Sequence, residues 1–313
     1  MLPLIPILVP VGGALLTYFI RKRSKALKEP RLIVTLGCPK SGKTNYMACS
    51  LAYISKYKSD TVTFVGSRYD TASRVANRQS LGELVNLVQE SLPKGNWLDK
   101  TSDRQEFLFK VQAPGSLSRC TTQKYAEVAL HDWPGEAFEQ LQDMGAWSLS
   151  PQLKAGFLAD MAKADFILIM LDVRCLYNEE LRHRYIHCLK GLQDELQKTK
   201  KKRCFAIALS QADLLEPHKE WRLDENSPSL DVQKIRNAVK AKFWQFFQWC
   251  DRCGQYEIWP VSCIPVPEHR IPDPRGDKPS PEWSLADLDH CGQVAPFMWM
   301  LDHFFLFRRD WES

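Results

Sequence analysis

The stretch Gly37-Cys38-Pro39-Lys40-Ser41-Gly42-Lys43-Thr44, set directly behind the apolar run Leu32-Ile33-Val34-Thr35-Leu36, constrains the fold of this chain more than any other feature. Glycines at both ends let the backbone curl so that successive N–H groups converge. The amphipathic run Asn45 to Tyr57 then supplies a helix whose N-terminus stands behind them. Strand, glycine-rich turn and helix in that order make a cradle for phosphate, with Lys43 reaching the β- and γ-phosphates and the Thr44 hydroxyl ligating Mg²⁺. Gly37, Pro39, Lys40, Ser41, Gly42, Lys43, Thr44 and Asn45 are therefore the expected nucleotide-binding residues of this loop.

Three further segments follow in a fixed order. Lys124 to His131 alternates as a strand and ends in Asp132-Trp133-Pro134-Gly135-Glu136, an Asp-x-x-Gly turn. Phe205 to Leu209 reads as a buried strand ending in the polar tetrad Ser210-Gln211-Ala212-Asp213, and Glu257 to Val261 reads as another, delivering Ser262-Cys263. Together with the loop, these segments resemble the Ras-like and translation-factor GTPases. The resemblance implies an α/β fold with a mostly parallel central sheet flanked by helices, and it implies GTP or GDP with Mg²⁺ as the bound species. It makes Asp132 the residue that holds the metal through water and Gly135 the one whose N–H senses the γ-phosphate. The tetrad resembles the Asn/Thr-Lys-x-Asp motif that reads guanine, and Ser262 and Cys263 stand where the family places a Ser-Ala contact to the base.

A carboxylate at Asp213 would accept from both N1–H and the exocyclic amine of guanine, whereas adenine offers no such pair, and discrimination of this kind reaches roughly 10⁴-fold. Ser210 replaces the family's Asn or Thr, and Gln211 replaces its lysine, so guanine selectivity is expected in weakened form and an ATPase stays open as a rival. Glu136 occupies the position where Ras-like proteins often carry a glutamine that orients water. Its negative charge opposes a place beside a triphosphate, which implies slow or partner-assisted hydrolysis, or a pseudo-GTPase scaffold. The switch threonine that closes on Mg²⁺ must lie between the loop and Asp132. Thr101, just before the strand Glu106 to Val111, has the expected position, with Thr71 and Thr121 as competitors.

The interval between Thr44 and Asp132 is long for a minimal Ras-like domain, and it is patterned. Thr61 to Val65 reads as an extra strand and Asp70 to Leu92 as a helix. That insertion, the Asp-Trp-Pro-Gly-Glu turn and a terminal helix over Val294 to Leu301 resemble the bacterial double-GTPase families, Ras-like domains found in conflict or defence gene neighbourhoods. The resemblance implies a switch that acts through a protein partner. One phosphate loop in one chain departs from the paired arrangement, so any second GTPase would be a separate protein.

Met1 to Ile20 carries no charge and is followed by Arg21-Lys22-Arg23, Lys25 and Lys28. Twenty apolar residues span about 30 Å of hydrocarbon as a helix. The basic flank predicts an outside N-terminus and a cytoplasmic GTPase domain. The expected organisation is a single-pass membrane anchor over 1–20, a basic juxtamembrane linker over 21–30 and the GTPase domain over 31–313. Pro3, Pro6, Pro10 and the Gly12-Gly13 pair leave an interfacial or partner-buried segment as the alternative.

The formal charge of +5 is mild. The cluster Lys198 to Arg203 has no interleaved aromatic residues, so it reads as a solvated connector, and nucleic-acid binding is not expected. Ten cysteines in a cytoplasmic chain are expected to be reduced. Cys250 and Cys253 have metal-ligand spacing, with Cys263, His290 and Cys291 as conceivable completions of a zinc site. They also end a helix whose apolar face runs Ile235, Val239, Phe243, Phe246, Phe247 and Cys250, with Gly254 at C′, which favours core packing. Phe166 to Asp172 reads as a buried strand, Glu179 to Lys198 as a long helix and Pro265 to Trp283 as a proline-rich loop. In the terminal helix, Trp299, Phe307 and Trp311 are candidates for a partner surface.

Overall fold

A computed structural model of the chain describes residues 30–57, 62–64, 104–112, 125–143, 147–215, 218–224, 229–262 and 293–306. In chain order the elements are β1 (Arg31–Gly37), α1 (Lys43–Tyr57), β2 (Val62–Phe64), β3 (Gln105–Gln112), β4 (Tyr125–Asp132), α2 (Gly135–Glu139) and α3 (Pro151–Lys163). There follow β5 (Phe166–Asp172), α4 (Glu179–Gln197), β6 (Arg203–Ser210), α5 (Val232–Lys242), α6 (Trp244–Cys253), β7 (Gly254–Pro260) and α7 (Ala295–Leu306).

The strands form one seven-stranded sheet in the order β2-β3-β4-β1-β5-β6-β7. Pairings from β4 through β1, β5 and β6 to β7 are parallel, and only β2 with β3 and β3 with β4 run antiparallel. This is the expected α/β architecture, a mostly parallel central sheet flanked by helices. β1, β5 and β6 are near-continuous apolar runs because helices cover both faces. On one face Leu36, Ile169, Phe205 and Ile207 pack with Phe157, Leu192, Val239 and Phe246 of α3 to α6. On the other, Ile33, Leu168 and Ala208 pack with Met47 and Leu51 of α1 and with Phe297 and Leu301 of α7.

The chain departs from β1 to one side through β4 and to the other through β5, so the strand order reverses at β1, where open α/β sheets place their ligands. The register pairs Thr35 with Asp132, Gly37 with Met170 and Asp172 with Ser210. Along these parallel pairings β1 runs two residues beyond the end of β4 and β5 two beyond β1, level with β6, and the loops that follow the four strands share one edge of the sheet.

The expected strand over 61–65 is present as β2. The anchor over 1–20, the rest of the basic linker up to residue 29, the helix over 70–92 and the loop over 265–283 lie outside the described residues. Among the described residues no helix is long and apolar enough to cross a membrane.

Four expectations need correction. The single helix ending at Cys253 is two helices, divided at Phe243, whose φ of −118° and ψ of 32° leave the helical region. Gly254 ends the helix, its N–H donating to the Cys250 carbonyl, but not as the left-handed C′ residue expected: its φ of 174° is extended and it opens β7. The reason for glycine is close approach, since a Cβ there would stand 1.7 Å from the carbonyl oxygen of Arg203. The connector before β6 is solvated only in part, because Arg203 is buried while Lys198, Lys200 and Lys202 are exposed. Trp299 also turns inward, its ring 5.3 Å from that of Trp259.

Candidate functional site

β1 delivers the chain into the glycine-rich loop at the reversal point. Lys40 and Gly42 both take left-handed backbone angles, with φ of 66° and 76°. Two such residues so close together reverse the chain tightly, at a steric cost that Gly42 avoids and Lys40 does not. The turn is closed by Ser41 N–H donating to the Cys38 carbonyl at 3.1 Å, and α1 starts as Tyr46 N–H donates to Gly42 at 2.9 Å. Thr44 and Asn45 are half-buried in the first turn of α1. The Ser41 hydroxyl is buried and has no hydrogen-bond partner among the described residues, a costly condition for a group with nothing to bind.

The Asp132–Gly135 turn lies directly against this loop. Lys43 of α1 and Asp132 at the end of β4 form a buried ion pair. Each charge offsets the desolvation of the other, so neither could be left alone there. A Cβ on Gly135 would stand 2.5 Å from the Pro39 nitrogen and 2.8 Å from the Cys38 carbonyl carbon, so the turn and the loop touch backbone to backbone. Glu136 follows, half-buried in the first turn of α2. Beyond α2 the chain leans on α4, where a Cβ on Gly191 would meet the Leu141 carbonyl oxygen at 2.3 Å.

On the other side of the loop, β6 ends in the polar tetrad. Gln211 is left-handed, with φ of 59°. Its side-chain amide donates to the Lys40 carbonyl at 3.3 Å and to the Asp172 carboxylate at 3.4 Å. Asp172 is buried and is also gripped by the Arg174 guanidinium, at 2.5 Å from Nη2 and 3.0 Å from Nε. Ser210 donates to the Leu171 carbonyl at 3.2 Å, fastening the end of β6 to β5. Ser262 donates its hydroxyl to Asp213 Oδ1 at 2.7 Å, and Ala212 N–H donates to the Val261 carbonyl at 3.1 Å.

The structure thus brings together Gly37 to Asn45, Asp132, Gly135, Glu136, Gln211, Asp213 and Ser262 along one edge of the sheet. Thr101 and Cys263, with the competitors Thr71 and Thr121, lie outside the described residues. Among the described residues no group of three His, Cys, Asp or Glu side chains is placed to hold a metal. Cys250 is wholly buried in the apolar face of α6, while Cys253 is half-buried. Sequence reasoning missed Asp172, which braces Gln211. Its only signal is an apolar strand that ends on an acid.

The sequence family described as Double-GTPase 2 matches residues 31–250. No curated protein matches the chain. Among solved structures, the chain is similar to the signal recognition particle receptor SRb-GTP/SRX complex from Chaetomium thermophilum, at 13% identity and a TM-score of 0.43, over 80% of this chain and 94% of that one. It is also similar to an ADP-ribosylation factor-like GTP-binding protein, the small COPII coat GTPase SAR1 from Encephalitozoon cuniculi in complex with GDP. There the identity is 12% and the TM-score 0.38, over 99% of this chain and 97% of that one.

Proposed function

The chain belongs to the Double-GTPase 2 family, and from that premise we propose that it is a membrane-anchored, GTP-binding switch that hydrolyses GTP to GDP and signals through a protein partner in a bacterial defence system. The observation that carries the reading is the Gln211 bridge. One side chain ties the tetrad that carries Asp213 to the Lys40 carbonyl of the loop, so a base reader and a phosphate cradle are held at fixed separation.

In this reading the loop 37–44 cradles the phosphates with Asn45 behind it, and Lys43 exchanges its Asp132 partner for the β- and γ-phosphates. The buried, unpartnered Ser41 hydroxyl and the backbone contact at Gly135 suit a triphosphate at the loop. Thr44, Asp132 through water, and the switch threonine Thr101 would hold Mg²⁺, which supplies neutralisation of phosphate charge. Asp213, aligned by Ser262, reads guanine, with Gln211 and Cys263 bordering the base. Hydrolysis is phosphoryl transfer to water, and the protein contributes position and charge rather than covalent chemistry. Glu136 puts a negative charge beside Gly135, which favours slow or partner-activated turnover. The uncharged segment 1–20 and its basic flank support a single membrane pass with the GTPase domain in the cytoplasm.

The test is titration of the full chain in detergent with fluorescent GTP and ATP analogues and Mg²⁺, beside Lys43→Ala and Asp213→Ala. Tight GTP binding that needs Lys43, and a preference over ATP that Asp213→Ala removes, are expected. Equal affinity for the two nucleotides overturns the guanine assignment, and no binding overturns the switch.

A further inference from the structure

A second polar cluster adjoins the Asp132–Gly135 turn and has no part in the function proposed above. Trp133, the first residue after Asp132, is 2% exposed, and its indole N–H donates to Asp160 Oδ2 of α3 at 3.0 Å. His131, the residue before Asp132, meets the same oxygen through Nδ1 at 2.7 Å. A carboxylate only accepts, so Nδ1 carries the hydrogen in that bond. Arg104, just ahead of β3, reaches Asp160 Oδ2 and Glu106 Oε2 at 3.5 Å each, with its guanidinium 5.7 Å from the centre of the Trp133 ring. The indole stands edge-on to Phe157 at 5.1 Å, and α3 has glycine at 156, where a Cβ would come within 3.3 Å of the ring.

One buried carboxylate therefore holds both neighbours of Asp132, the residue whose own carboxylate pairs with Lys43. Gly135 touches the loop from the other side, so the turn has two anchorages: the backbone at Cys38 and Pro39, and Asp160. Only Pro134 separates the two anchorages along the chain.

We propose that Asp160 is a positioning residue which, through the Trp133 indole, sets where the Asp132–Gly135 turn lies and carries the nucleotide state of that turn to α3. The proposal rests on the GTP-switch reading. The full chain in detergent would be compared with Asp160→Ala, Asp160→Asn, Trp133→Phe and, as a stability control in a distant part of the same core, Val239→Ala. Three readouts would be taken: affinity for a fluorescent GTP analogue, single-turnover hydrolysis, and amide exchange of α3 in GDP against a non-hydrolysable GTP analogue. Asp160→Ala and Trp133→Phe are expected to slow hydrolysis about tenfold with nucleotide affinity held within about threefold. Asp160→Asn, which keeps an acceptor for the indole, should recover most of the rate, and Val239→Ala should lower stability without slowing turnover. Exchange in α3 should differ between the two nucleotides in the parent chain and not in Trp133→Phe. Unchanged rates, or an equal loss in Val239→Ala, overturn the proposal. If the parent chain binds GTP without hydrolysing it, the hydrolysis reading fails alone, and the α3 exchange comparison still decides for or against the relay. If it binds no nucleotide, the functional reading fails and takes the relay with it.

Discussion

The side chain of Gln211 donates to the carbonyl oxygen of Lys40 across 3.3 Å, joining the end of β6 to the loop after β1. The same amide reaches Asp172, so loop, β5 and β6 meet at one group. Gln211→Ala removes both bonds and keeps a non-glycine residue at a left-handed position. One hydrogen bond contributes about 0.5–1.5 kcal/mol net. Affinity for GTP and GDP should fall together by roughly three- to tenfold, read by fluorescent nucleotide titration. A loss confined to one of the two nucleotides would contradict a brace that acts on the loop itself.

Gly135→Ala should be far more damaging than its size suggests. The added methyl would sit 2.5 Å from the Pro39 nitrogen and 2.8 Å from the Cys38 carbonyl carbon, both backbone atoms that cannot rotate away. Overpacking of this kind costs about 1–3 kcal/mol, and here relief requires that the turn leave the loop. Urea denaturation together with GTP titration should show both lower stability and weaker binding. Gly191→Ala, which presses on the Leu141 carbonyl instead, should cost similar stability while leaving GTP affinity closer to the parent value. Equal effects of the two on affinity would sink the distinction.

The sequence revealed the site's parts more readily than the contacts among them. Gly37 to Thr44 and Asp132 to Gly135 are local patterns, and a strand that ends in a glycine-rich turn can be read from periodicity alone. That Gly135 lies on Cys38 and Pro39, or that Gln211 replaces a lysine and still reaches the loop, depends on sheet register, which no local pattern encodes. The break at Phe243 was hidden for a related reason. Ile235, Val239, Phe246 and Cys250 keep helical spacing across the break and all face the core, so periodicity runs through a point where the backbone does not. Gly254 reads as a left-handed helix cap because a glycine after a helix usually is one. The actual demand comes from the Arg203 backbone beside it.

Buried thiols give the domain a pH dependence of definite sign. Cys175, Cys204 and Cys250 are pushed up by burial, Cys175 to about 12, and Cys38 is raised first by its contact with the Cys188 thiol, 3.9 Å away, and then by burial. An unfolded thiol titrates near about 8.5. Above that value the unfolded chain releases protons that the folded chain keeps, so stability is fully present below it and is lost as pH rises toward the folded values. The slope is up to about 1.4 kcal/mol per pH unit for each such thiol. The thiols therefore add no slope to thermal melting under reducing conditions below about pH 8, and the melting temperature should fall steadily from about pH 8.5 to 10. A melting temperature that holds or rises through that interval would contradict the buried-thiol account. Maleimide labelling at neutral pH should reach half-buried Cys253 before Cys38, which is 2% exposed.

At the opposite end of the sheet from the loop, the Arg203 guanidinium is buried and its pKa lowered to about 10 by desolvation. It donates to the Lys201 carbonyl at 2.7 Å, to Met161 and Ala162 at 3.1 and 3.2 Å, and to the Thr199 hydroxyl at 2.7 Å. Met161 and Ala162 belong to the last turn of α3, whose carbonyls lack helical partners and favour a cation. One side chain thus caps α3 and ties down the connector from α4. Arg203→Met keeps most of the volume and removes every donor, leaving the buried Met161 carbonyl and the partly buried Ala162 and Lys201 carbonyls without it, each at up to about 1–3 kcal/mol. The expected loss is about 3 kcal/mol or more by urea denaturation, with GTP affinity of the folded fraction unchanged, because none of these partners belongs to the loop 37–44, the Asp132–Gly135 turn or the tetrad. Arg203→Lys should recover only part of that loss, since a single ammonium cannot reproduce the planar fork of the guanidinium. A full recovery by lysine would mean that charge alone, rather than the fan of hydrogen bonds, holds α3 to β6.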